Sequence, residues 1–254
     1  GESTALEEGE SYQLADLDLY TSYGYSRNLQ FTFGTKFRNI DSSESGPTDS
    51  SLHDLNASGI HSGYVGARYA WDRVDNIFYT LEFGYRHFSY TNQIYKVAEP
   101  NAYIALGDDG QEFHLGLNIT IQPKSSMNFI TSKIFFRSRG SNMSDEIFYQ
   151  VEGALVWRHF AMLAGIKGVN SLNNDDYSSD EANRPVIPSG PSKYLNAINP
   201  SYTDAYAGIA IAFNSKVKIE LKGGVTVTGN NADQSQFAMA NFIIRNDAPK
   251  GKFS

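Results

Sequence analysis

The sequence predicts an all-β fold: a transmembrane antiparallel up-and-down β-barrel with eleven visible strands and room for a twelfth. Three observations carry that expectation. Apolar and polar residues alternate in eleven segments, at lengths near the roughly 9–11 residues a tilted strand needs to cross a bilayer. Connections between the segments are short and long in strict turn. Aromatic side chains gather beside the short connections on the apolar parity, where amphipathic rings favour the headgroup level.

The pattern is clearest in residues 111–122. Phe113, Leu115, Leu117, Ile119 and Ile121 fall on one parity; Glu112, His114, Gly116, Asn118 and Thr120 fall on the other. Side chains alternate across a strand, so one face is apolar and the other polar. Pro123, which cannot donate to a ladder, ends the run.

Composition fits. No apolar run approaches the ~18–20 residues of a membrane helix, and a barrel hides from hydropathy because half of each strand is polar. Gly 22, Tyr 16 and Phe 16 against Met 4 suit a twisted, aromatic-rich sheet. With Cys 0 there is no disulfide or thiol chemistry, and a net charge of −7 argues against nucleic acid. The chain opens Gly1-Glu2-Ser3 without a leader-like segment and reads as a mature or truncated form. Residues 1–10 form an acidic segment, 11–245 the barrel and 246–254 a polar tail.

In chain order, the expected strands cover 12–25, 29–40, 60–71, 77–90, 111–122, 128–138, 147–157, 160–169, 203–213, 217–228 and 236–244. Residues 41–58, 91–110 and 170–201 are expected to be long polar loops. The outward parity carries no Asp, Glu, Lys or Arg within these spans, as a lipid face requires. Its interface aromatics are Tyr23, Tyr25, Tyr69, Trp71, Tyr79, Trp157, Phe160 and Phe213.

The inward parity holds the ions. Its bases are Lys36, Arg38, Arg68, Arg86, Lys133, Arg137, Arg158, Lys167, Lys216, Lys218 and Lys222. Its acids are Asp16, Asp18, Glu82, Glu112, Glu152, Asp204 and Glu220, which leaves an excess of four positive charges on the wall. The excess acid of the whole chain then sits in loops and termini, as at Asp175, Asp176, Asp180 and Glu181.

Turn geometry suggests partners. A hairpin closed between Tyr25 and Leu29 sets Asp18 opposite Lys36 and Asp16 opposite Arg38. Closing the fifth and sixth strands so that Glu112 meets Arg137 leaves a turn around residues 123–126. Pairing Trp157 with Phe160 puts Glu152 diagonal to Lys167. Facing opposite charges stabilise by about 0.2–1 kcal/mol each. These ladders can simply stiffen a polar lumen, or they can line a selective channel. Lys216, Lys218 and Lys222 share a strand face with only Glu220 among them, which makes them the selectivity candidates.

No catalytic residue, metal or cofactor is expected, and the chain is not expected to be an enzyme. His61 and Ser62 are adjacent, and neighbours on a strand point to opposite faces, so they should not meet as base and nucleophile. Glu112 and His114 share a face and are expected as wall partners. The five histidines lack metal-ligand spacing.

On the alternating strands and the short-then-long connections, the chain resembles a Gram-negative outer-membrane β-barrel of about twelve-stranded, porin-like size. That resemblance implies the bacterial outer membrane as location and its lipid as partner. It also implies a channel for small hydrophilic solutes, which the basic wall would bias towards anions. The alternative is a plugged barrel serving as a surface or assembly scaffold, with a protein partner or oligomer.

Overall fold

Eleven strands follow one another in space in the order of the chain. They are β1 (Ser11–Gly24), β2 (Leu29–Ser45), β3 (Leu52–Ala70), β4 (Ile77–Phe88), β5 (Gln111–Ile121) and β6 (Phe129–Arg139), then β7 (Glu146–Trp157), β8 (Phe160–Ser171), β9 (Ser201–Ala212), β10 (Val217–Asn230) and β11 (Gln236–Ile244). The computed structural model describes residues 11–45, 52–71, 74–88, 110–140, 144–172, 201–214, 216–230 and 235–244. Each strand pairs antiparallel with the next, in one sheet that curves into a half-barrel. Among the described residues no helix occurs, and β1 and β11 are the two free edges.

The two faces follow from the parity of the sequence. Outward, Leu115, Phe136, Leu155, Met162 and Val227 are each more than two-fifths exposed, an apolar surface that water would disfavour and lipid accepts. Inward lie the ions and most of the hydrogen-bonded polar groups. Close to the β7–β8 turn the inner face is itself apolar, with Ala154, Ala161, Leu163 and Ala210 buried together.

Among the described residues, five inward rings fill the space beside a glycine directly across the ladder. The pairs are Tyr20–Gly34, His114–Gly84, Phe135–Gly116, Tyr206–Gly165 and Phe237–Gly224. A Cβ on any of these glycines would overlap the ring opposite. The rings therefore lie along the wall where the glycines leave space, and bury apolar area without reaching across the lumen.

Two expectations about β2 and β3 are corrected. Much of 41–58 is strand rather than loop, because the β2–β3 hairpin continues outward to Ser45↔Leu52. Its polar residues satisfy a ladder beyond the apolar band, where alternation is no longer imposed by lipid. The other expected loops fall mostly on 91–109 and 173–200, which lie outside the described residues. The second correction is a β-bulge: Lys36 pairs Ser62 while Phe37 pairs Ile60, so His61 is an extra residue in β3. The bulge reverses the parity. Val65 and Tyr69 face out below it, and Ile60 faces out above it.

Candidate functional site

The β1–β2 turn fixes the first ionic cluster. Asp16 stands opposite Arg38 and Asp18 opposite Lys36, the register the sequence predicts. Arg38 donates from Nε and Nη2 to Asp16 at 2.7 and 2.9 Å, and Lys36 Nζ donates to the same carboxylate at 3.0 Å. Asp18 lies farther off, at 3.6 Å from Lys36. One carboxylate thus holds two cations.

The register of β5 and β6 differs from expectation by two residues. Glu112 pairs Arg139, and His114 pairs Arg137. The connection is longer than a tight turn: Asn128 caps the neighbouring strand through Oδ1, which accepts from Val156 N at 2.8 Å. Glu112 still reaches Arg137, diagonally, at 4.0 Å. Arg137 and Arg139 both turn to Glu146 at the start of β7.

Glu152 and Lys167 are diagonal, as expected, yet choose other partners. Lys222 donates to Glu152 Oε2 at 2.5 Å across three strands, and Lys167 pairs Asp204 at 3.6 Å. Curvature brings β10 over β7. Glu220 takes Lys218 and lies 3.8 Å from Lys222. Tyr206 Oη joins this group, accepting from Gln150 Nε2 at 2.6 Å and donating to Glu152 at 2.9 Å.

Lys216 does not line the wall. It sits exposed in the β9–β10 connection, where its N–H donates to Asn214 Oδ1 at 2.8 Å. Arg158 likewise falls in the β7–β8 turn, whereas Arg139 and Glu146 join the inner face. The positive excess on the wall therefore falls from four to two. Its location is readable from the pairing. Among the described residues, Arg86 and Lys133 are the inward bases with no carboxylate within 4 Å; every other one has at least one. Lys133 lies between the Arg68–Glu82 and Glu152–Lys222 pairs. Opposite it, Asn118 Oδ1 is buried without a partner.

Arg86 borders a recess of about 370 Å³ on the concave face. Arg68 closes one side, its Nη2 donating to Glu82 Oε1 at 3.0 Å; its Nε is 2.9 Å from Oε2 but too poorly aligned to bond. Tyr64 Oη and His114 Nε2 are 3.1 Å apart, and His114 Nδ1 is 3.9 Å from Glu112. A carboxylate, an imidazole and a phenol in that order can orient a ring and relay a proton. Rings continue along the recess from Tyr20 through Tyr64, His114 and Phe135 to Phe148, with centroids 6.0, 5.4, 5.6 and 5.9 Å apart.

His61 and Ser62 do meet, contrary to expectation. The bulge turns both inward, and His61 Nδ1 lies 3.1 Å from Ser62 Oγ. Both are buried, with His61 edge-on to Phe88. The parity rule fails at a bulge, and nothing local in the sequence marks one here.

Of the girdle aromatics, Tyr23, Tyr25, Tyr69, Trp71, Trp157, Phe160 and Phe213 are exposed on the outer side beside the short turns, while Tyr79 is half-buried. Trp157 stacks on Phe160 across its turn, and Tyr69 meets Trp71 edge-on.

No family model matches the chain, and no curated protein matches it. Among solved structures, LpxR from Salmonella typhimurium is similar with a TM-score of 0.49 and 11% identity, over 90% of this chain and 88% of that one. LpxR is an enzyme, and the expectation that this chain is not one does not stand.

Proposed function

We propose that the protein is a bacterial outer-membrane channel for small hydrophilic solutes, selective for anions. The observation that carries this reading is the pair of inward cations with no carboxylate within 4 Å, Arg86 and Lys133, on a wall whose other bases each have one. An uncompensated charge in a cleft with low-dielectric walls focuses its field on passing ions, whereas a matched pair largely cancels. The aromatic–glycine pairing supports an open lumen, since the rings lie flat against the wall. The apolar outer face and the short-turn aromatics suit the outer membrane and its lipid. Reversal potentials in a planar bilayer under a KCl gradient test it. Anion preference that falls in Arg86→Gln, and again in the double variant with Lys133→Gln, is the expected result. Equal permeability in wild type and variants, or no conductance, overturns it.

A second reading, catalysis at the inner wall, is favoured by the placement of His114 between Glu112 and Tyr64. An enzymatic activity lost in His114→Gln with normal conductance would support it over transport.

A further inference from the structure

We propose that the recess beside Arg86 is a binding site for a small aromatic monocarboxylate. Arg86 takes the carboxylate, and the rings of Tyr20 and Tyr64 take the flat body. The proposal rests on the reading of the lumen as open to solutes, and it names the class of solute and where it pauses.

The volume comes first. About 370 Å³ is at the small end of ligand sites and is ample for one ring with a carboxylate. Charge comes next. Arg68, Arg86 and Arg137 face Glu82 and Glu112 around the recess, which leaves one positive charge to be matched. A monoanion matches it.

The polar groups already have work, with one exception. Arg68 is held by Glu82, Ser22 Oγ and Thr32 Oγ1 bond each other at 3.1 Å, and Tyr64 bonds His114. Arg86 has no carboxylate within 4 Å, since Glu112 opposite it on the ladder turns to His114 and Arg137, and its Nε is buried with no partner. Its other contacts are the Tyr20 hydroxyl and the face of the Tyr64 ring, 5.9 Å from the centroid. A planar guanidinium is a fork matched to a carboxylate, and a buried donor left unfilled is costly. The Tyr20 hydroxyl beside it adds a donor to the same oxygens.

The rings select the rest of the ligand. Tyr20 is an inward aromatic that is 53% exposed, and it stands edge-on to Tyr64. A third ring can enter that arrangement face-on to one and edge-on to the other, as aromatic quadrupoles prefer. Acetate leaves the rings unused. A neutral aromatic amide leaves Arg86 without a counter-charge.

The test is calorimetric titration of the purified protein in detergent micelles with benzoate, acetate and benzamide. Saturable benzoate binding at least tenfold tighter than either of the others is expected. Arg86→Gln should weaken benzoate tenfold or more. Arg86→Lys, which keeps charge but not the fork, should weaken it several-fold. Tyr20→Leu, at an exposed ring outside the ionic ladder, should narrow the gap between benzoate and acetate even if the arginine variants fold poorly. Benzoate binding no tighter than acetate, or unchanged in Arg86→Gln, overturns the site. Binding in micelles does not need conduction. A barrel that binds benzoate without conducting loses only the channel reading, and an anion-selective channel indifferent to benzoate loses only this one.

Discussion

Phe135 stands directly across the β5–β6 ladder from Gly116, and its ring occupies the space a Cβ on Gly116 would need. The ring is buried and touches His114 and Phe148 on either side, so moving it disturbs a run of rings rather than one contact. Gly116→Ala should cost about 1–3 kcal/mol, the usual range for overpacking. Gly153 has open space at its Cβ position, so Gly153→Ala should be nearly neutral. Urea titration of refolded protein, followed by the mobility shift of unheated samples, compares the two. Equal stability of both variants would refute the pairing.

Asp16 and Arg38 form a two-pronged ion pair that Lys36 joins. A double-mutant cycle with Asp16→Ala and Arg38→Ala should give a coupling of about 1 kcal/mol, the top of the range for pairs that solvent still reaches. The Asp18–Lys36 pair, at 3.6 Å, should couple by a few tenths. A larger coupling for Asp18 would mean the carboxylates exchange roles in the membrane.

These two cases mark how far the sequence could be read. The eleven strands, their faces and the β1–β2 register followed from period-two alternation and a tight turn, which are local rules. Glu112 stands opposite Arg139 rather than Arg137 because the β5–β6 connection is longer than a four-residue turn, with Asn128 bonded to Val156 instead of to the ladder. The partner of Glu152, Lys222, lies three strands away, and only curvature brings it near. The His61 bulge has no turn residue to announce it. The isolation of Arg86 and Lys133 depends on where every other side chain on the wall turns, which no local pattern encodes.

Selectivity should therefore be graded. Lys218 is tied to Glu220 near the β9–β10 turn, so Lys218→Gln should shift the reversal potential less than Arg86→Gln or Lys133→Gln. Lys216→Gln, in the turn itself, should shift it least. The reverse order in a planar bilayer would return the selectivity role to β10.

The outer face should be intolerant of charge in proportion to depth. Leu115 lies mid-strand on the outer side, 52% exposed, and Leu115→Arg should cost about 2–4 kcal/mol. Tyr25→Arg, beside the β1–β2 turn and 71% exposed, should cost about 0–1 kcal/mol. Folding yield into vesicles across a urea series measures both. Equal costs would mean the outer face is not buried in lipid at Leu115.

The bulge at His61 makes the sharpest structural prediction, because it alone sets which side of the outer β3 residues faces the lumen. Deleting His61 removes the extra residue, so Ile60 would follow Ser62 in strict alternation. Ser62 can keep its place opposite Lys36, since the ladder below it is continuous to Tyr69↔Leu29. Everything above then keeps its face: Ile60, 51% exposed outside and paired with Phe37, stays outward beside the inward Ser62. A cysteine in place of Ile60 reports the outcome. It should resist a charged, water-soluble maleimide when the protein is in vesicles, both with His61 present and after its deletion. A cysteine in place of Val65, below the bulge, should stay protected in both. Labelling at position 60 that occurs with His61 present and disappears on its deletion would mean that strict alternation, and no bulge, holds in the native strand.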